Sequence, residues 1–453
     1  MDFDHLAQEQ SDRIFHVWIR NLLSNAPEEL AGKLAARHCP GQPVTASRLS
    51  NGAFNLCYRV TFENGHRVIV RFTALGRVVA RSEKVEDEVS IMQYLSHHTK
   101  IPVPRVFRSG KCVIGPYIVI SFIEGSPLSG YLRDPSQEVV TLSSSLSTSI
   151  LKRAYSGMAE LLLELSKPKF PFIGSIQQNG MDVWNVQKGP FTFNINRLAQ
   201  FSNLPLNVFD RQRFSNTADY FEELANHHLH HLELQRNDAI TDEDDCQKKY
   251  IARCLFRKVS REVSQKHCNG PFRLYCDDLR PKNVLVDASK LVIAGVVNWE
   301  FTYAAPVEFT YAAPWWLLLE HPEDWDSDLN DFMVRFMPRF RTFLEALQEC
   351  EDRKILDGSL LPAQRLSTAM EQSLETGMFW ICLALRHSSM FDEIYWTFID
   401  SKFFGPFGTM EDRFRLLSAE EQANIDSFVE KKLLQAQEGG LVYHYTIDEL
   451  VDL

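Results

Sequence analysis

The alternation of apolar and polar residues divides the chain into a strand-rich N-terminal part and a longer, mainly helical remainder. Residues 27–38 follow the helical period, and the prolines and glycine directly after them end that helix. From about residue 44 the period shortens to that of strands. Segments 53–62 and 67–72 flank Asn64 and Gly65, two residues that tolerate positive φ and therefore predict a two-residue hairpin.

The next segments complete a small lobe. Val85, Val89, Met92 and Leu95 recur at helical spacing and predict a helix over residues 82–96. Strand-like segments follow, and Gly125 and Pro127 then interrupt the pattern as a linker. The order strand, strand, helix, strand, strand predicts a compact α+β lobe. The divisions predicted from this pattern are an N-terminal helical extension over 1–43, an N-lobe over 44–123, with its later strands at 103–107 and 117–123, and a C-lobe over 124–453.

The C-lobe is predicted to be mainly helical. At 453 residues the chain is too long for one ordinary core, which also favours two or more lobes. Residues 170–215 are rich in proline, glycine and aromatic residues and are predicted to be irregular, and the acidic run 241–245 is predicted to be a solvated loop. The elements predicted beyond residue 124 are helices over 149–165, 216–234 and 253–265, a short hairpin over 282–287 and 291–297, and further helices from 328 onward.

Composition narrows the class of protein. Apolar residues make up 45% of the chain and charged residues 24%, values typical of a soluble globular protein. The net charge of −11 argues against a nucleic-acid-binding protein. Nine scattered cysteines without a C-x-x-C spacing indicate reduced thiols and no zinc site. The acidic N-terminus and the absence of a long apolar run predict a cytoplasmic protein that does not enter a membrane.

The strongest chemical signal is the segment LYCDDLRPKNVLVD at 274–287. In phosphoryl-transfer sites, an Asp meets the hydroxyl of the acceptor and an Asn five positions later holds a metal ion. Asp278 and Asn283 have this spacing and precede a predicted strand. A second metal ligand, usually a carboxylate, is expected after the next hairpin, where this chain has Asn298. The amide keeps an oxygen donor but lacks the charge that Mg²⁺ prefers.

Three further parts of a phosphoryl-transfer site occur in the expected order. The turn 50–55, with Gly52 and Phe54, lies between two strands and permits close approach of the backbone to phosphate. Arg71 follows on the next strand as the phosphate cation, and Glu88 lies on the apolar face of the helix as its partner. Taken singly, an ordinary hairpin turn, an edge-strand arginine and an exposed glutamate remain open alternatives. No G-x-x-x-x-G-K-[ST] phosphate loop occurs in the sequence.

With these motifs the chain resembles the aminoglycoside phosphotransferase/choline kinase-like family, and in particular its fungal members. The likeness extends from about residue 45 to 405. It implies a two-lobed, protein-kinase-like α+β fold, with a small antiparallel-sheet N-lobe carrying one helix and a larger helical C-lobe. The segments that carry it are 83–85, 88–89, 101–106, 274–287, 296–306 and 314–325.

The resemblance also implies roles for individual residues. It places the adenine of ATP against Phe122, Ile123 and Glu124, and the phosphates near Gly52 and Arg71. It makes Asp278 the catalytic base and Asn283 and position 298 the metal ligands. The chain departs from the family pattern at three positions: Cys276 replaces a His, Asp277 a Gly and Asn298 a metal-binding Asp.

The sequence therefore predicts an ATP- and Mg²⁺-dependent phosphotransferase whose acceptor is a hydroxyl group of a small molecule. The alternative is a catalytically impaired pseudokinase that binds a nucleotide or metabolite as a sensor or scaffold. Asn298 is the residue on which the two hypotheses differ, because it weakens the predicted metal site. The sequence encodes neither the identity of the acceptor, nor a choice between ATP and GTP, nor an oligomeric state.

Overall fold

The structure, a computed structural model, describes residues 1–49, 52–180, 183–264, 266–287, 289–325 and 328–453. Its strands are β1 Pro43–Arg48, β2 Asn55–Phe62, β3 Arg67–Thr73, β4 Val106–Cys112, β5 Gly115–Ser121, β6 Ser126–Pro127, β7 Ser175–Gln178, β8 Trp184–Lys188, β9 Arg273–Cys276, β10 Val284–Val286, β11 Ile293–Val296 and β12 Thr302–Ala305. Its helices are α1 His5–Ser24, α2 Pro27–His38, α3 Arg81–His98, α4 Leu128–Leu132, α5 Thr148–Leu165, α6 Phe193–Phe201, α7 Thr217–Leu234, α8 Glu243–Glu262, α9 Val307–Tyr311, α10 Leu329–Leu356, α11 Leu366–Thr376, α12 Met378–Arg386, α13 Phe391–Ile394, α14 Asp400–Phe404, α15 Met410–Phe414, α16 Ala419–Glu438 and α17 Ile447–Asp452.

A five-stranded antiparallel sheet forms the small lobe, in the order β1-β2-β3-β5-β4. The predicted hairpin joins β2 to β3, with Gly65 at a φ of 79°. Alternate residues of β2, such as Tyr58 and Val60, pack on one face of the sheet, and Ile69 of β3 packs on the other face, toward α3. The sheet is therefore covered on both sides, and α3 lies on the side that carries Arg71.

Helices α1 and α2 cover the outer face of this sheet. Trp18 and Leu22 of α1 and Leu34 of α2 are buried in the same apolar cluster as Tyr58 and its neighbours on β2. The indole Nε1 of Trp18 donates a hydrogen bond to the backbone oxygen of Ile114, at 2.8 Å. The N-terminal segment is thus packed against the N-lobe, and α1 is a helix that the sequence pattern did not single out.

The large lobe is mainly helical and is joined to the small lobe through the predicted linker. Within that linker, β6 pairs with β10, so the connection is hydrogen-bonded to the strand that follows the Asp278 loop. Strands β9 and β12 pair on the other side of the loop. Helices α5 and α10 pack together beneath it, and the Tyr155 hydroxyl donates to the backbone oxygen of Leu317 at 2.8 Å.

Two predictions for the large lobe were wrong in detail. The acidic run 241–245 is not a loop, because Asp242 caps α8 and three acidic residues occupy its first turn. Acidic side chains favour a helix N-terminus, where they accept from free backbone N–H groups and offset the helix dipole. The segment 170–215 is not wholly irregular, since it contains β7, β8 and α6. Gln265, predicted as a helix end, lies outside the described residues.

In the described part of the chain no helix is both long and apolar enough to cross a membrane. Each of the nine cysteines is a free thiol.

Candidate active site

Three short turns bring the predicted catalytic and metal-binding side chains to the cleft between the lobes. Asp278 follows β9, and Asn283 ends a 3-10 turn directly before β10. Asn298 follows β11 with a φ of 60°. Asn and Asp are the side chains that best tolerate this left-handed conformation apart from Gly. The backbone at position 298 therefore suits the amide as well as the expected carboxylate.

A directed chain of hydrogen bonds joins these side chains to the N-lobe. Arg71 donates from an η nitrogen to Asn298 Oδ1 at 3.4 Å, and Asn298 Nδ2 donates to Asn283 Oδ1 at 2.9 Å. Asn283 Nδ2 then donates to Asp278 Oδ2 at 3.0 Å and to its backbone oxygen at 2.8 Å. A guanidinium only donates and a carboxylate only accepts, so the two ends fix the orientation of both amides.

Arg71 forms a buried ion pair with Glu88 of α3. The two side chains are 4% and 0% exposed, so neither interacts freely with water. Burial works against the charged guanidinium, but Glu88 and then Glu300 hold the pKa of Arg71 above its ordinary value. The structure thus brings together the cation and the helical carboxylate that the sequence placed in these positions.

A second buried ion pair joins Lys84 of α3 to Glu300, two residues after Asn298. Lys84 Nζ also lies 3.7 Å from Glu88 and 3.1 Å from Asn55 Oδ1, and Asn55 Nδ2 donates to Glu300 at 3.0 Å. Burial alone would raise the pKa of Glu300, but Lys84 and Arg71 outweigh it and lower the pKa. These contacts connect three separate elements: the start of β2, helix α3 and the segment after β11.

Asp278 is buried on the floor of the cleft. Burial raises its pKa above the ordinary value, and the guanidinium of Arg280 opposes that shift. Arg280 Nε lies 2.8 Å from Asp278 Oδ1. A carboxylate with a raised pKa is a better proton acceptor than a carboxylate with an ordinary pKa. Arg280, which the sequence reasoning did not select, therefore partly offsets the effect of burial on the pKa of Asp278.

Asp277, which stands where the family usually has a Gly, connects the loop to neighbouring elements of the C-lobe. Its carboxylate accepts from the backbone N–H of Phe193 at 3.0 Å and from the hydroxyl of Tyr303 at 3.3 Å. Burial raises the pKa of Asp277 to about 6, although Arg386 acts in the opposite direction. This carboxyl is directed toward α6 and β12, so its contacts anchor the loop from behind.

The predicted phosphate turn is only partly within the described residues, because Ser50 and Asn51 lie outside them. Gly52 is exposed, and its backbone N–H donates to the oxygen of Asn55 at 3.2 Å. The ring of Phe54 points inward, with centroids 5.4 Å from Phe301 and 5.8 Å from Phe193. Phe54 therefore joins the turn to the segment after Asn298 and to α6.

The three residues predicted to contact adenine have different surroundings. The ring of Phe122 lies 4.9 Å from the guanidinium of Arg67, and Glu124 forms an exposed ion pair with the same arginine. Ile123 instead packs against Gly295 of β11, where an added Cβ would lie 2.5 Å from its Cδ1 atom. Among these three side chains, Ile123 is therefore the one that the described contacts join to β11, the C-lobe strand before Asn298.

Comparison with known proteins decides the family of this site. The profile of the phosphotransferase enzyme family matches residues 45–330, which include every predicted catalytic and metal-binding residue. The chain belongs to this family. The small antiparallel sheet with one helix packed on one of its faces, followed by a mainly helical lobe, is the architecture that the sequence predicted.

The individual proteins that this chain resembles are distant from it in sequence. The clavilactone A biosynthesis cluster protein Y of Ampulloclitocybe clavipes is 25% identical over 326 residues, 66% of this chain and 71% of its own. An aminoglycoside 2'-phosphotransferase solved with GDP is 14% identical, with a TM-score of 0.42, over 87% of this chain and 97% of its own. An amicoumacin kinase solved with AMP-PNP and Ca²⁺ is 14% identical, with a TM-score of 0.43, over 91% and 95%.

The donor set of this phosphotransferase does not fit a tightly held Mg²⁺ ion. Mg²⁺ favours charged oxygen ligands in a near-octahedral arrangement. Asn283 and Asn298 offer neutral amide oxygens, and each already accepts a hydrogen bond, from Asn298 and Arg71 respectively. The nearby carboxylate of Glu300 is paired with Lys84. In this arrangement each amide oxygen uses part of its acceptor capacity in a hydrogen bond.

Sequence reasoning missed the roles of Lys84, Asn55 and Arg280. A signal for Lys84 existed, because it lies four residues before Glu88 and so shares its helix face. Arg280 lies two residues after the predicted base and could have been considered as its partner. For Asn55 no local signal was present, since only the tertiary structure places it against Glu300.

Proposed function

We propose that this protein transfers the γ-phosphate of ATP to a hydroxyl group of a small molecule. The observation that carries this proposal is the unbroken chain of contacts from Arg71 through Asn298 and Asn283 to Asp278. It joins a phosphate-binding cation of one lobe to a proton acceptor of the other. Membership of the phosphotransferase family supports the reaction class.

In this proposal residues 44–123 bind the nucleotide, and residues 124–453 carry the catalytic loop and the acceptor-binding helices. Adenine contacts the segment of Phe122, Ile123 and Glu124. The triphosphate lies beneath the turn of Gly52 and Phe54, beside Arg71. The N-terminal residues 1–43 support the nucleotide-binding lobe from outside, and the reaction takes place in the cytoplasm.

The chemical task of the chain is limited to positioning and proton transfer. The acceptor oxygen forms a new bond to the γ-phosphorus, the bond from that phosphorus to the bridging oxygen breaks, and ADP leaves. Asp278 accepts the proton of the acceptor hydroxyl, and burial favours that protonated state. Mg²⁺, when it is bound, neutralises phosphate charge. Asn283 and Asn298 would contact such an ion only weakly, because both offer neutral amide oxygens.

The second candidate function is a pseudokinase that binds a nucleotide or metabolite without turnover. The specific observation in its favour is the amide–amide hydrogen bond between Asn298 and Asn283. It engages one of the two lone pairs of the Asn283 oxygen that a metal would contact. Without the metal, the transition state loses several kcal/mol of stabilisation, so turnover would fall by orders of magnitude.

Radiolabelled phosphate transfer from ATP separates the two functions. Wild type is compared with Asp278→Asn, with Asn298→Asp, and with Asp287→Asn as a control on an exposed acid outside the cleft. The acceptors are water and a panel of hydroxylated small molecules, at several Mg²⁺ concentrations. We expect transfer by wild type, about a hundredfold or greater loss in Asp278→Asn, and saturation at a lower Mg²⁺ concentration in Asn298→Asp.

Nucleotide binding completes this test. If wild type binds ATP but only Asn298→Asp transfers phosphate, the pseudokinase function is correct. If Asp278→Asn transfers as fast as wild type, Asp278 is not the base and the proposed mechanism is wrong. If neither wild type nor Asn298→Asp binds ATP, both functions are refuted.

A further inference from the structure

We infer that Lys84 acts as an internal cation that holds Asn55, at the end of the phosphate turn, and the Asn298 segment together, so that nucleotide binding does not require Mg²⁺. In metal-dependent sites, the ion joins these two regions by contacting both protein and phosphate. Here side chains of the protein itself connect the two regions. The inference rests on the nucleotide binding in the proposed function and extends it to the role of a residue outside the predicted site.

The geometry around Lys84 carries the inference. Its ammonium group contacts the carboxylate of Glu300 and the side-chain oxygen of Asn55, at 3.1 Å in the second case. Glu300 lies two residues after Asn298, and Asn55 lies three residues after Gly52. Asn55 also donates to Glu300 at 3.0 Å and accepts from Thr73 at 3.4 Å. Both regions that would contact a nucleotide's phosphates are therefore attached to one ammonium group.

The charges in this cluster balance without a metal ion. Arg71 and Lys84 supply two positive charges, and Glu88 and Glu300 supply two negative charges. All four side chains are 4% exposed or less. An isolated charge in such surroundings is costly, so neutrality favours this arrangement. A carboxylate at position 298 would add a negative charge, which an added cation would then have to balance.

Lys84 is a positioning residue and not a catalytic one. Its side chain is only 1% exposed, so the ammonium group does not reach a ligand in the cleft. It acts through Asn55 on the turn and through Glu300 on the backbone around Asn298 and Phe301. Both of those residues have left-handed φ values, 60° and 58°. Such a backbone persists where surrounding contacts determine it, and the Glu300 ion pair supplies one of those contacts.

The test measures ATP affinity by calorimetry in EDTA and in excess Mg²⁺, together with the melting temperature. The variants are Lys84→Met, Glu300→Gln and the double variant Lys84→Met/Glu300→Gln. Each single variant leaves a buried group without its partner, whereas the double variant removes both charges. A merely structural pair would therefore recover stability and ATP affinity together in the double variant.

We expect wild type to bind ATP with affinities that differ by less than about threefold between the two conditions. The single variants lose both melting temperature and affinity. The double variant regains melting temperature but binds ATP about tenfold or more weakly than wild type. A matched control is Arg413→Met/Asp400→Asn, which removes a buried ion pair of the C-terminal helices, outside the cleft. It should leave ATP affinity unchanged.

Two results would overturn the inference. One is a wild-type affinity that falls about tenfold or more when Mg²⁺ is removed. The other is a double variant whose ATP affinity matches that of wild type. If wild type binds no ATP in either condition, the proposed function fails, and amide hydrogen exchange then decides the inference separately. Faster exchange over residues 53–56 and 296–301 in a folded double variant supports the positioning role, and unchanged exchange refutes it.

Discussion

Replacing Asp277 by Asn should change the pH dependence of stability in a defined direction. Asp277 lies in the Asp278 loop, partly buried, between the backbone N–H of Phe193 and the hydroxyl of Tyr303. Burial raises the pKa of its carboxyl group to about 6 in the folded protein, against about 3.9 in an unfolded chain. The fold thus favours the protonated form, which is the neutral one.

The sign follows from linkage. Because the folded-state pKa is the higher one, the contribution of Asp277 to stability is fully present below about pH 4 and is lost as the pH rises to about 6. A displacement of about two pKa units corresponds to at most about 3 kcal/mol of unfolding free energy. The remaining exposure of the side chain makes this an upper bound. Asp277→Asn removes the titration and keeps an oxygen acceptor.

Denaturant unfolding at about pH 3.5, 6 and 7.5 provides the assay, with Asp287→Asn as the control. Asp277→Asn should match wild type at the lowest pH and become the more stable protein at the highest. Ser289 hydrogen bonds hold the pKa of Asp287 below its ordinary value, so the control should show no such gain. A stability difference between Asp277→Asn and wild type that is independent of pH would refute this reasoning.

Three other substitutions probe the contacts that support the site. Arg71→Met should cost up to about 3–5 kcal/mol of unfolding free energy, because Glu88 loses its nearest cation and keeps only Lys84, at 3.7 Å, which Glu300 also contacts; a loss below about 1 kcal/mol in thermal unfolding would contradict the buried pair. Trp18→Phe should cost about 0.5–1.5 kcal/mol, since the oxygen of Ile114 loses its indole donor and keeps only that of Arg81, at 3.3 Å, and hydrogen exchange should accelerate in α1; unchanged exchange there would refute the anchoring role. Gly295→Ala places a Cβ 2.5 Å from Ile123, so it should destabilise the protein by about 1–3 kcal/mol and weaken ATP binding measured by calorimetry. The double variant Gly295→Ala/Ile123→Val should recover both stability and ATP binding. A double variant as impaired as the single one would contradict this contact.

Several features of the fold could be predicted from local sequence because each depends on neighbouring residues. The Asn64-Gly65 pair specified the turn between β2 and β3, and the spacing of Val85, Val89, Met92 and Leu95 specified α3. The acidic run before α8 was misinterpreted, because the same residues suit a solvated loop and a helix N-terminus. Helix α1 was not singled out, since its burial depends on a sheet formed by later residues.

The candidate site, like the fold, could be predicted from the sequence only in part. Five residues occur along the chain in the order that a family pattern fixes: Arg71, Glu88, Asp278, Asn283 and Asn298. That order was sufficient to predict that they converge. The structure brings these five side chains into one network. Their roles in binding ATP and a metal remain predictions. The sequence did not specify the orientation of the two amides, which depends on a donor at one end of the network and an acceptor at the other.

By itself, the sequence determined the β2–β3 hairpin and helix α3 of the small lobe, the position of the Asp278 loop before β10, and the amide at position 298. Only the tertiary structure decided that Lys84 pairs with Glu300, that Arg280 pairs with Asp278, and that the buried charges balance. The physical reason is that backbone period and turn chemistry act over a few residues. The partner of a buried charge, in contrast, is whichever group the packing of distant segments brings into contact, where water no longer screens it.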